Sequence, residues 1–427
     1  MYLAYNICLF VAFILTFPFW ALRLLWNGKF RRSFKVRLGL KGVNRQSGKE
    51  DSRPIWIHAL SVGEVLSSVA LVKALTARYP KIPLVFSTST ETGQQTALKA
   101  LGNLVSEPFF FPLDLFYVVK KTLAGISPRL FVLIETDLWP NFLRELKTRG
   151  IPAILVNGRM STSSFKRYRA FRFFMKQVLF CFQAIGMQAP LYARRMVEMG
   201  APEDKVFVGG NLKFDQEHRY VEQPERDEIL RSLGWHSPRK RVLVAGSTHA
   251  GEEEIIFGAY SRLLQDFPDA ALIAAPRNPE RFEPVHHLAL GQGLRCRKLS
   301  DPVNPADQVV VVDRIGELSR LYSVGEAAFV GGSMVQEGGH NLLEAAAQKK
   351  SILFGPYMDD FQEMAERMVE AGGGRVVSNQ EELFQAWKSF LESPSLAERT
   401  GEMAYQVWRT NRGALQNYLR CLERYLN

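Results

Sequence analysis

The sequence lacks the patterns that mark several common kinds of site. Only four cysteines occur in 427 residues and none forms a Cys-x-x-Cys pair, which excludes a disulfide framework and a cysteine zinc site. There is no Gly-Lys-Ser/Thr of a P-loop, no His-Glu-x-x-His, and no Gly-x-Gly-x-x-Gly of a dinucleotide fold. These absences favour chemistry with no metal and no cofactor, and we expect neither.

Acidic residues are scarce in the first half of the chain. Residues 1–215 contain 30 Lys and Arg against 13 Asp and Glu, whereas residues 216–427 contain 24 against 30. The first half therefore favours a polyanion or an anionic membrane surface as partner. The length predicts two to three domains, and 47% hydrophobic residues exclude a disordered chain.

The N-terminus has no charged side chain over residues 1–22. As a helix, this stretch is roughly 30 Å long at about 1.5 Å per residue, which matches a bilayer core. Seven basic residues from Arg23 to Lys41 follow, with no acidic residue among them. We predict a membrane anchor over residues 1–26, spanning or interfacial, with the basic side in the cytoplasm. A cleaved signal peptide is the alternative, but its basic start and small-residue cleavage site are missing.

Short apolar runs alternate with helical patterns along the rest of the chain, which predicts a doubly wound α/β fold with parallel sheets. The predicted strands lie at 54–60, 83–88, 129–135, 152–158, 183–187, 241–247, 270–276, 308–313, 326–332 and 351–355. A polar stretch over 216–240 separates the two series as a linker. We therefore predict Rossmann-like domains over 27–215 and 241–394, and a continuous helical tail over 395–427.

The segment GGSMVQEGGHNLLEAAA (331–347) ends a strand with a glycine-rich loop and starts a helix near Asn341. Glycines let a ligand approach the backbone, and free N–H groups at a helix start favour phosphate. Glu344 is placed to bind two ribose hydroxyls. The alternative is a capped helix, with Asn341 as cap and Glu344 as its capping-box partner.

Carboxylates follow two other predicted strands. Glu64 in SVGEVLSS opens a helix after the first strand, where a carboxylate can act as a general base. It can equally be a first-turn acid that stabilises the helix dipole. Glu135 and Asp137 in LIETDLWPN follow a third strand, as site residues or as solvated loop residues.

Basic and hydroxyl side chains are also found near other predicted strand ends and helix starts. Lys213 in GNLKFD precedes the linker, and Arg277 in APRNPERF ends a strand, where it can bind phosphate or carboxylate. Both are equally compatible with ordinary surface residues. Ser247 and Thr248 in GSTHAGEEE stand at a helix start, as caps or as anion ligands.

Residues 159–177 (RMSTSSFKRYRAFRFFMKQ) combine six basic and five aromatic residues in a helical pattern. A basic, aromatic, amphipathic helix is typical of binding to a membrane surface or to anionic lipid headgroups. Nucleic acid and a solvated helix face are the alternatives. Next to an N-terminal anchor we favour the membrane and exclude nucleic acid.

Six motifs in this order and spacing, SVGE, ETDLWPN, GNLKFD, GSTHAGEE, PRNPERF and GGHNLLE, resemble those of the 3-deoxy-D-manno-octulosonic acid (Kdo) transferases of Gram-negative bacteria. The resemblance covers about residues 54–370. It implies the GT-B glycosyltransferase fold, with two Rossmann-like domains facing a cleft. It also implies inverting, metal-independent transfer of Kdo from CMP-Kdo to the lipid A precursor lipid IVA, at the cytoplasmic side of the inner membrane. The chain departs from the family pattern at Asp137, Asn278, Leu342 and Ala345.

The resemblance also implies roles for individual residues. Glu64 is the base that deprotonates the acceptor hydroxyl, and Glu135 and Lys213 help to stabilise the transition state. Ser247 and Thr248 lie near the donor. Contacts to CMP-Kdo are implied at Pro276, Arg277, Gly316, Glu317, Leu318, Asn341, Leu342, Leu343 and Glu344.

Two other functions remain open at this point. One is a GT-B transferase that uses a different nucleotide sugar. The other is a non-catalytic protein that binds anionic lipid, which paired carboxylates at strand ends make less favourable.

Overall fold

The computed structural model describes residues 1–26, 34, 36–39, 53–215, 219–235 and 240–426, without the side chains of residues 18–26. The chain forms two compact units. Unit 1 comprises Met1–Gln216 and Asn411–Asn427, and unit 2 comprises Glu217–Thr410. Most of the basic stretch that follows the predicted anchor lies outside the described residues, including Lys29, Arg31, Arg32, Lys35 and Lys41.

Unit 1 is built on a seven-stranded parallel sheet with strand order β3-β2-β1-β4-β5-β6-β7. Its strands are β1 Ile55–Ala59, β2 Leu84–Thr88, β3 Phe109–Phe110, β4 Leu130–Ile134, β5 Ala153–Gly158, β6 Ala184–Met187 and β7 Val206–Val208. Its helices, up to the crossing into unit 2, are α1 Tyr2–Trp26, α2 Val62–Arg78, α3 Glu91–Leu101, α4 Phe116–Ile126, α5 Pro140–Thr148, α6 Thr162–Ala170, α7 Arg172–Leu179 and α8 Pro190–Glu198.

Unit 2 contains a second seven-stranded parallel sheet with strand order β10-β11-β9-β8-β12-β13-β14. Its strands are β8 Arg241–Thr248, β9 Ala270–Pro276, β10 Cys296–Lys298, β11 Val309–Val311, β12 Ala327–Val330, β13 Ser351–Phe354 and β14 Gly374–Val376. Its helices are α9 Gln223–Ser232, α10 Glu252–Asp266, α11 Phe282–Gly291, α12 Leu318–Leu321, α13 Leu343–Ala347, α14 Gln362–Glu370, α15 Gln380–Glu392 and α16 Pro394–Thr410.

Strands β1, β4, β5 and β9 are mostly apolar and are buried along their whole length, because helices cover both faces of the sheets. Trp56 on β1 packs edge-on against Phe131 and Phe142 with ring centroids 5.6 and 5.1 Å away. This aromatic cluster packs helix α5 against the interior strands β1 and β4.

The C-terminal tail is not the continuous helix predicted for 395–427. Helix α16 ends at Thr410, and a second helix, α17 Ala414–Leu426, begins after Gly413. Gly413, the residue directly before α17, has φ +110°, a conformation that glycine adopts without steric cost. The chain therefore returns from unit 2 to unit 1, where Tyr418 and Leu422 are buried against the sheet.

The basic and aromatic segment over 159–177 is likewise not one helix. Helix α6 ends at Ala170, and α7 restarts at Arg172 after a break at Phe171. Phe171 and Phe173 are about two-thirds to three-quarters exposed, and helix α6 buries no residue.

Helix α1 begins at Tyr2, as the apolar N-terminus predicts. Within the described residues, however, no helix meets the length and apolarity that crossing a membrane demands. The first two turns of α1 contact unit 1, since Tyr5 Oη donates to Asp114 Oδ2 at 2.9 Å. Several apolar side chains along α1 are exposed, among them Leu3, Phe10 and Leu15.

Candidate functional site

Ligands of doubly wound sheets bind beyond the carboxyl ends of the strands, where the strand order reverses. In unit 1 the reversal lies between β1 and β4, and Glu64 and Glu135 follow these two strands. Asp137 lies two residues further, and His58 is on β1 itself. We call His58, Glu64, Glu135 and Asp137 the acidic cluster.

Glu64 is buried in the first turn of α2. Its Oε2 accepts a hydrogen bond from the backbone N–H of Leu60 at 2.5 Å. Burial raises the pKa of Glu64 to about 8, and the nearby charges of Glu135 and Asp137 add to this shift. A carboxyl group with such a pKa is a much stronger base than an exposed glutamate, which fits a group that removes a proton from a hydroxyl.

Glu135 has φ +58°, in the left-handed region that residues with a Cβ rarely adopt. Its N–H donates to the carbonyl of Val156 on β5 at 2.9 Å, which holds this turn in place. Such strain costs on the order of 1–3 kcal/mol and is concentrated at functional sites. The side chain is half-buried, and its charge acts on Glu64.

Asp137 is held by two aromatic side chains. Trp139 Nε1 donates to Asp137 Oδ2 at 2.8 Å, and His58 Nε2 lies 3.6 Å from the same oxygen. Trp139 also forms the cap position of helix α5, followed by Pro140. The LIETDLWPN motif is therefore a structured turn and not a solvated loop.

His58 was not selected by the sequence analysis. It is fully buried, its Nδ1 lies 3.0 Å from the carbonyl oxygen of Ser87, and its ring stacks on Phe111 with centroids 4.0 Å apart. The one available signal was a histidine within an apolar strand that ends at the Glu64 turn. The structure places its Nε2 near the Asp137 carboxylate, which Trp139 holds by a hydrogen bond.

Lys213 lies half-buried in a 3-10 turn, Leu212–Asp215, that packs against α2, the helix that carries Glu64. This turn is fixed by Asn157, whose Oδ1 accepts the N–H of Leu212 at 2.9 Å. Asn157 is buried, has φ +60°, and was not selected from the sequence because Asn-Gly after an apolar run resembles an ordinary turn. Unit 1 thus places Lys213 beside the helix of the proposed base.

The GNLKFD motif also holds helix α17. Asp215 accepts the backbone N–H groups of Gly413 at 2.6 Å and of Leu415 at 2.7 Å. In return, Tyr418 Oη donates to the carbonyl of Gly210 at 2.8 Å. The last helix of the chain is therefore part of the support of the Lys213 turn.

In unit 2 the strand order reverses between β8 and β12. Strand β8 ends with Ser247 and Thr248, and His249 follows it. The glycine-rich loop follows β12. Ser247 has φ +56°, which repeats the strain seen at Glu135. The Thr248 hydroxyl donates to Glu253 Oε1 at 3.2 Å, so this side chain is used within the unit.

The first part of the glycine-rich loop has its N–H groups bonded within the chain. The buried carboxylate of Glu252 accepts the N–H groups of Gly332 at 2.7 Å, Ser333 at 2.9 Å and Met334 at 2.8 Å. It also accepts the N–H of His249 at 3.0 Å. These bonds tie the first part of the loop to the start of α10, and the predicted phosphate position at the helix start near Asn341 stays a prediction.

The helix after this loop begins at Leu343, two residues later than predicted, and is only one turn long. Asn341 Oδ1 accepts the N–H of Leu343 at 3.1 Å, as a cap does. The side chains of Leu342 and Leu343 are fully buried. Any contact of these two leucines with a donor can therefore come only from the backbone.

The side chains of His249 and His340 meet near this loop, with Nε2 atoms 2.8 Å apart. Together with Arg277 and Glu344 we call them the histidine cluster. Arg277 is exposed after β9, and its charge acts on both His340 and Glu344. Burial raises the pKa of Glu344, and Arg277 counteracts that shift. A cation beside a half-buried carboxyl group is an arrangement suited to a phosphate and a sugar hydroxyl.

The predicted contacts at residues 316–318 lie at the same end of the sheet. A Cβ on Gly246 of β8 would lie within 2.8 Å of both Leu318 and Tyr322, so only glycine allows this packing. Gly316 has φ +97°, and Glu317 is paired with Arg320 at 3.5 Å. Pro276 is the buried last residue of β9.

No group of three or more potential metal ligands occurs among the described residues. The chemistry of the two clusters is that of carboxylates on unit 1 and of imidazole, guanidinium and carboxyl groups on unit 2. The first can remove protons, and the second can bind an anion.

Comparison with known proteins bears on the family. A family model described as 3-deoxy-D-manno-octulosonic-acid transferase (kdotransferase) matches residues 32–216. The 3-deoxy-D-manno-octulosonic acid transferase of Haemophilus influenzae is 33% identical over 406 residues, which cover 93% of this chain and 92% of that protein. The protein of the same name from Chlamydia pneumoniae is 27% identical and covers 99% of this chain and 96% of its own.

Among solved structures, a glycosyltransferase from Rickettsia africae matches with a TM-score of 0.56 at 13% identity, covering 88% of this chain and 99% of that one. This likeness shows a shared GT-B-like fold. The relatives aligned over nearly their whole length show the family. The chain belongs to the Kdo transferases and is a glycosyltransferase.

Proposed function

We propose that this enzyme transfers Kdo from CMP-Kdo to a hydroxyl group of the lipid A precursor lipid IVA, in lipopolysaccharide synthesis, with inversion of the anomeric centre. Unit 1 binds the acceptor, and unit 2 binds the donor. The observation that carries the proposal is Glu64, a buried carboxyl group with a pKa of about 8 where the strand order of unit 1 reverses. Membership of the Kdo transferases supports the identity of the sugar.

In the proposed reaction the acceptor oxygen attacks the anomeric carbon of Kdo from the face opposite the phosphate. Its proton passes to the Glu64 carboxylate. The bond between the anomeric carbon and the phosphate oxygen breaks, and its electron pair leaves with CMP. Glu135 and Lys213, held in fixed turns beside Glu64, stabilise the charge that develops.

The leaving phosphate is met by the Arg277 guanidinium at the end of β9. A fixed cation can do the work of a bound metal ion in stabilising this charge. We therefore propose a reaction that needs no metal and no cofactor. Full activity in the presence of EDTA is the expected result, and strict dependence on a divalent cation would contradict it.

We also propose that the enzyme acts at the cytoplasmic face of the inner membrane. Support comes from the apolar side chains that α1 exposes, with Leu3 at 74%, Phe10 at 62% and Leu15 at 75% exposure. Phe171 and Phe173, beside the basic residues of α6 and α7, extend the apolar surface of unit 1. Replacing Leu3, Phe10 and Leu15 with serine should shift the protein into the soluble fraction after sedimentation, whereas the matched replacement of Leu98, Leu290 and Leu396 should not.

The central experiment is incubation with CMP-Kdo and lipid IVA, with the products resolved by mass. Wild-type enzyme should add Kdo. Glu64→Gln should lower the rate of Kdo transfer by about 10²- to 10⁴-fold, the usual contribution of a general base. Glu91→Gln is the matched control, because Glu91 is also in the first turn of a helix but is exposed. Absence of Kdo addition, or preference for a UDP sugar over CMP-Kdo, would overturn the proposal.

A further inference from the structure

We propose that His249 and His340 act as a proton-sharing pair that takes up one proton when the donor nucleotide binds and gives it to the leaving phosphate. The inference rests on the proposed CMP-sugar donor and adds a general acid to the reaction. It concerns unit 2 alone.

The two imidazole rings are joined head to head. The Nε2 atoms of His249 and His340 are 2.8 Å apart, and the rings are within 18° of parallel. At this distance one nitrogen must donate a proton and the other must accept it, because two N–H groups would repel each other. The neutral pair therefore holds one proton between the Nε2 atoms, and a further proton gives a cationic pair with an N–H at each Nδ1.

This geometry is built into the fold. The Glu252 carboxylate accepts the N–H of His249 at 3.0 Å and that of Gly332 at 2.7 Å, and so ties together the loops that carry the two histidines. Gly332 has φ +66°, and a Cβ there would lie 2.9 Å from the His340 ring. A glycine is thus required for His340 to reach its partner.

Burial and the charge of Arg277 favour neutral His340 when no anion is bound. Burial lowers the pKa of His340 to about 4, with further lowering by Arg277 and by His249. Arg277 faces the pair from the end of β9, and Glu344 extends from α13. The Glu252 carboxylate of α10 is already used by four backbone N–H groups.

A phosphate bound beside the two histidines makes protonation of the pair favourable. A bound phosphate offsets the charge of Arg277 and favours the cationic form of the pair, so binding draws a proton from solvent. When the bond between the anomeric carbon and the phosphate oxygen breaks, the phosphate gains a second negative charge. The proton moves from the pair to that phosphate, which leaves a neutral pair and singly protonated CMP, while Glu64 holds the proton of the acceptor.

Calorimetry of CMP binding tests the inference without any sugar transfer. At pH 8, where free CMP is fully ionised, the binding enthalpy is measured in buffers that differ in ionisation enthalpy, which gives the number of protons taken up. Wild-type enzyme should take up a measurable fraction of a proton per CMP. His340→Gln keeps a polar group beside His249 but cannot be protonated, and its uptake should fall close to zero.

His287→Gln is the matched control, because His287 is an exposed histidine of α11 in the same unit. It should keep the uptake of the wild type. The transfer rate of His340→Gln should fall about 10²-fold through kcat, with a smaller change in the KM for the donor. His249→Gln should behave in the same way, and far-UV circular dichroism of each variant establishes that it is folded.

Equal proton uptake by wild type and folded His340→Gln would overturn the inference and leave the proposed function standing. Failure of the wild type to bind CMP would overturn the proposed donor and this inference with it. Binding with uptake but without Kdo transfer would support the pair and count against the proposed acceptor or sugar.

Discussion

Asn6 of α1 and Asn141 of α5 exchange two side-chain hydrogen bonds. Asn6 Nδ2 donates to Asn141 Oδ1 at 3.1 Å, and Asn141 Nδ2 donates to Asn6 Oδ1 at 2.7 Å. Asp114 joins them, since its carboxylate accepts the N–H groups of Asn141 and Phe142 and the hydroxyl of Tyr5. Helix α5 begins directly after the turn that carries Asp137, so α1 is fixed to a support of the acidic cluster.

Replacement of Asn6 with leucine should destabilise unit 1. The variant keeps an apolar helix but leaves the buried Oδ1 of Asn141 without the donor from Asn6, which costs about 1–3 kcal/mol. The change should lower the thermal midpoint of the detergent-solubilised enzyme, as followed by circular dichroism. Ile7→Leu, an exposed neighbour on the same helix, is the control and should change nothing.

A double-mutant cycle with Asn141→Leu separates this pair from other effects of the change. The two single losses should add to clearly more than the loss in the double variant, because the same bonds are removed once. Additive losses would show that the two amides do not stabilise each other.

Glu64→Gln should stabilise the protein in a way that depends on pH. The pKa of Glu64 is about 8 in the folded state and about 4.5 in the unfolded state, so the native chain holds the proton more strongly. Wild-type stability should therefore fall as pH rises from about 4.5 to about 8, whereas the variant lacks this loss. In thermal unfolding from pH 5 to 9, the midpoint of the variant should rise relative to that of the wild type as pH increases. A difference in midpoint that does not change with pH would contradict the shifted pKa.

The pH dependence of the rate of Kdo transfer should reflect the ionisation of the same Glu64 carboxyl group. Because the carboxylate is the active form, the rate of Kdo transfer by wild-type enzyme should rise with pH up to about 8 and then level off. A rate that is constant from pH 5 to 8 would argue against Glu64 as the base.

Glu252→Gln should loosen the loop that carries His340. A glutamine has one acceptor oxygen, and its NH₂ group faces backbone N–H groups that need an acceptor, so the variant should lose about 2–4 kcal/mol of stability. Urea unfolding measures the loss. Glu254→Gln is the control, since Glu254 accepts only the exposed N–H of Gly251. Similar unfolding midpoints for the two variants would contradict this role of Glu252.

The sequence was sufficient to predict the interior strands of both sheets. All ten predicted strands form, because a parallel strand covered on both faces must be a continuous apolar run. Four other strands were missed: β3, β7, β10 and β14. Each has two or three residues and lies at the edge of its sheet, where pairing on one side replaces a recognisable apolar pattern.

The site residues also fall into those that the sequence predicts and those that it does not. Glu64 and Glu135 could be selected because they follow strands, and strand ends collect ligands in this fold class. His58, Asn157 and Glu252 could not, because their roles depend on partners distant in the sequence: Asp137, Leu212 and the loop after β12. The carboxylate of Glu252 accepts the N–H groups of Gly332, Ser333 and Met334 in the first part of the glycine-rich loop, which the sequence pattern does not reveal.

Asp215→Asn should free the last helix of the chain and impair catalysis through the Lys213 turn. Asparagine has one acceptor oxygen where the Asp215 carboxylate accepts two N–H groups, those of Gly413 and Leu415. Loss of one such bond at a helix start costs about 1–2 kcal/mol. Helix α17 should then exchange its amide hydrogens faster, and kcat should fall more than KM changes, because Tyr418 no longer holds the carbonyl of Gly210 firmly.

Hydrogen exchange of the C-terminal peptide, followed by mass spectrometry, measures the faster exchange of helix α17. Asp204→Asn, a change at an exposed residue of unit 1, should leave both the exchange and kcat unchanged. Normal exchange together with a lowered kcat would mean that Asp215 acts on the Lys213 turn without helix α17.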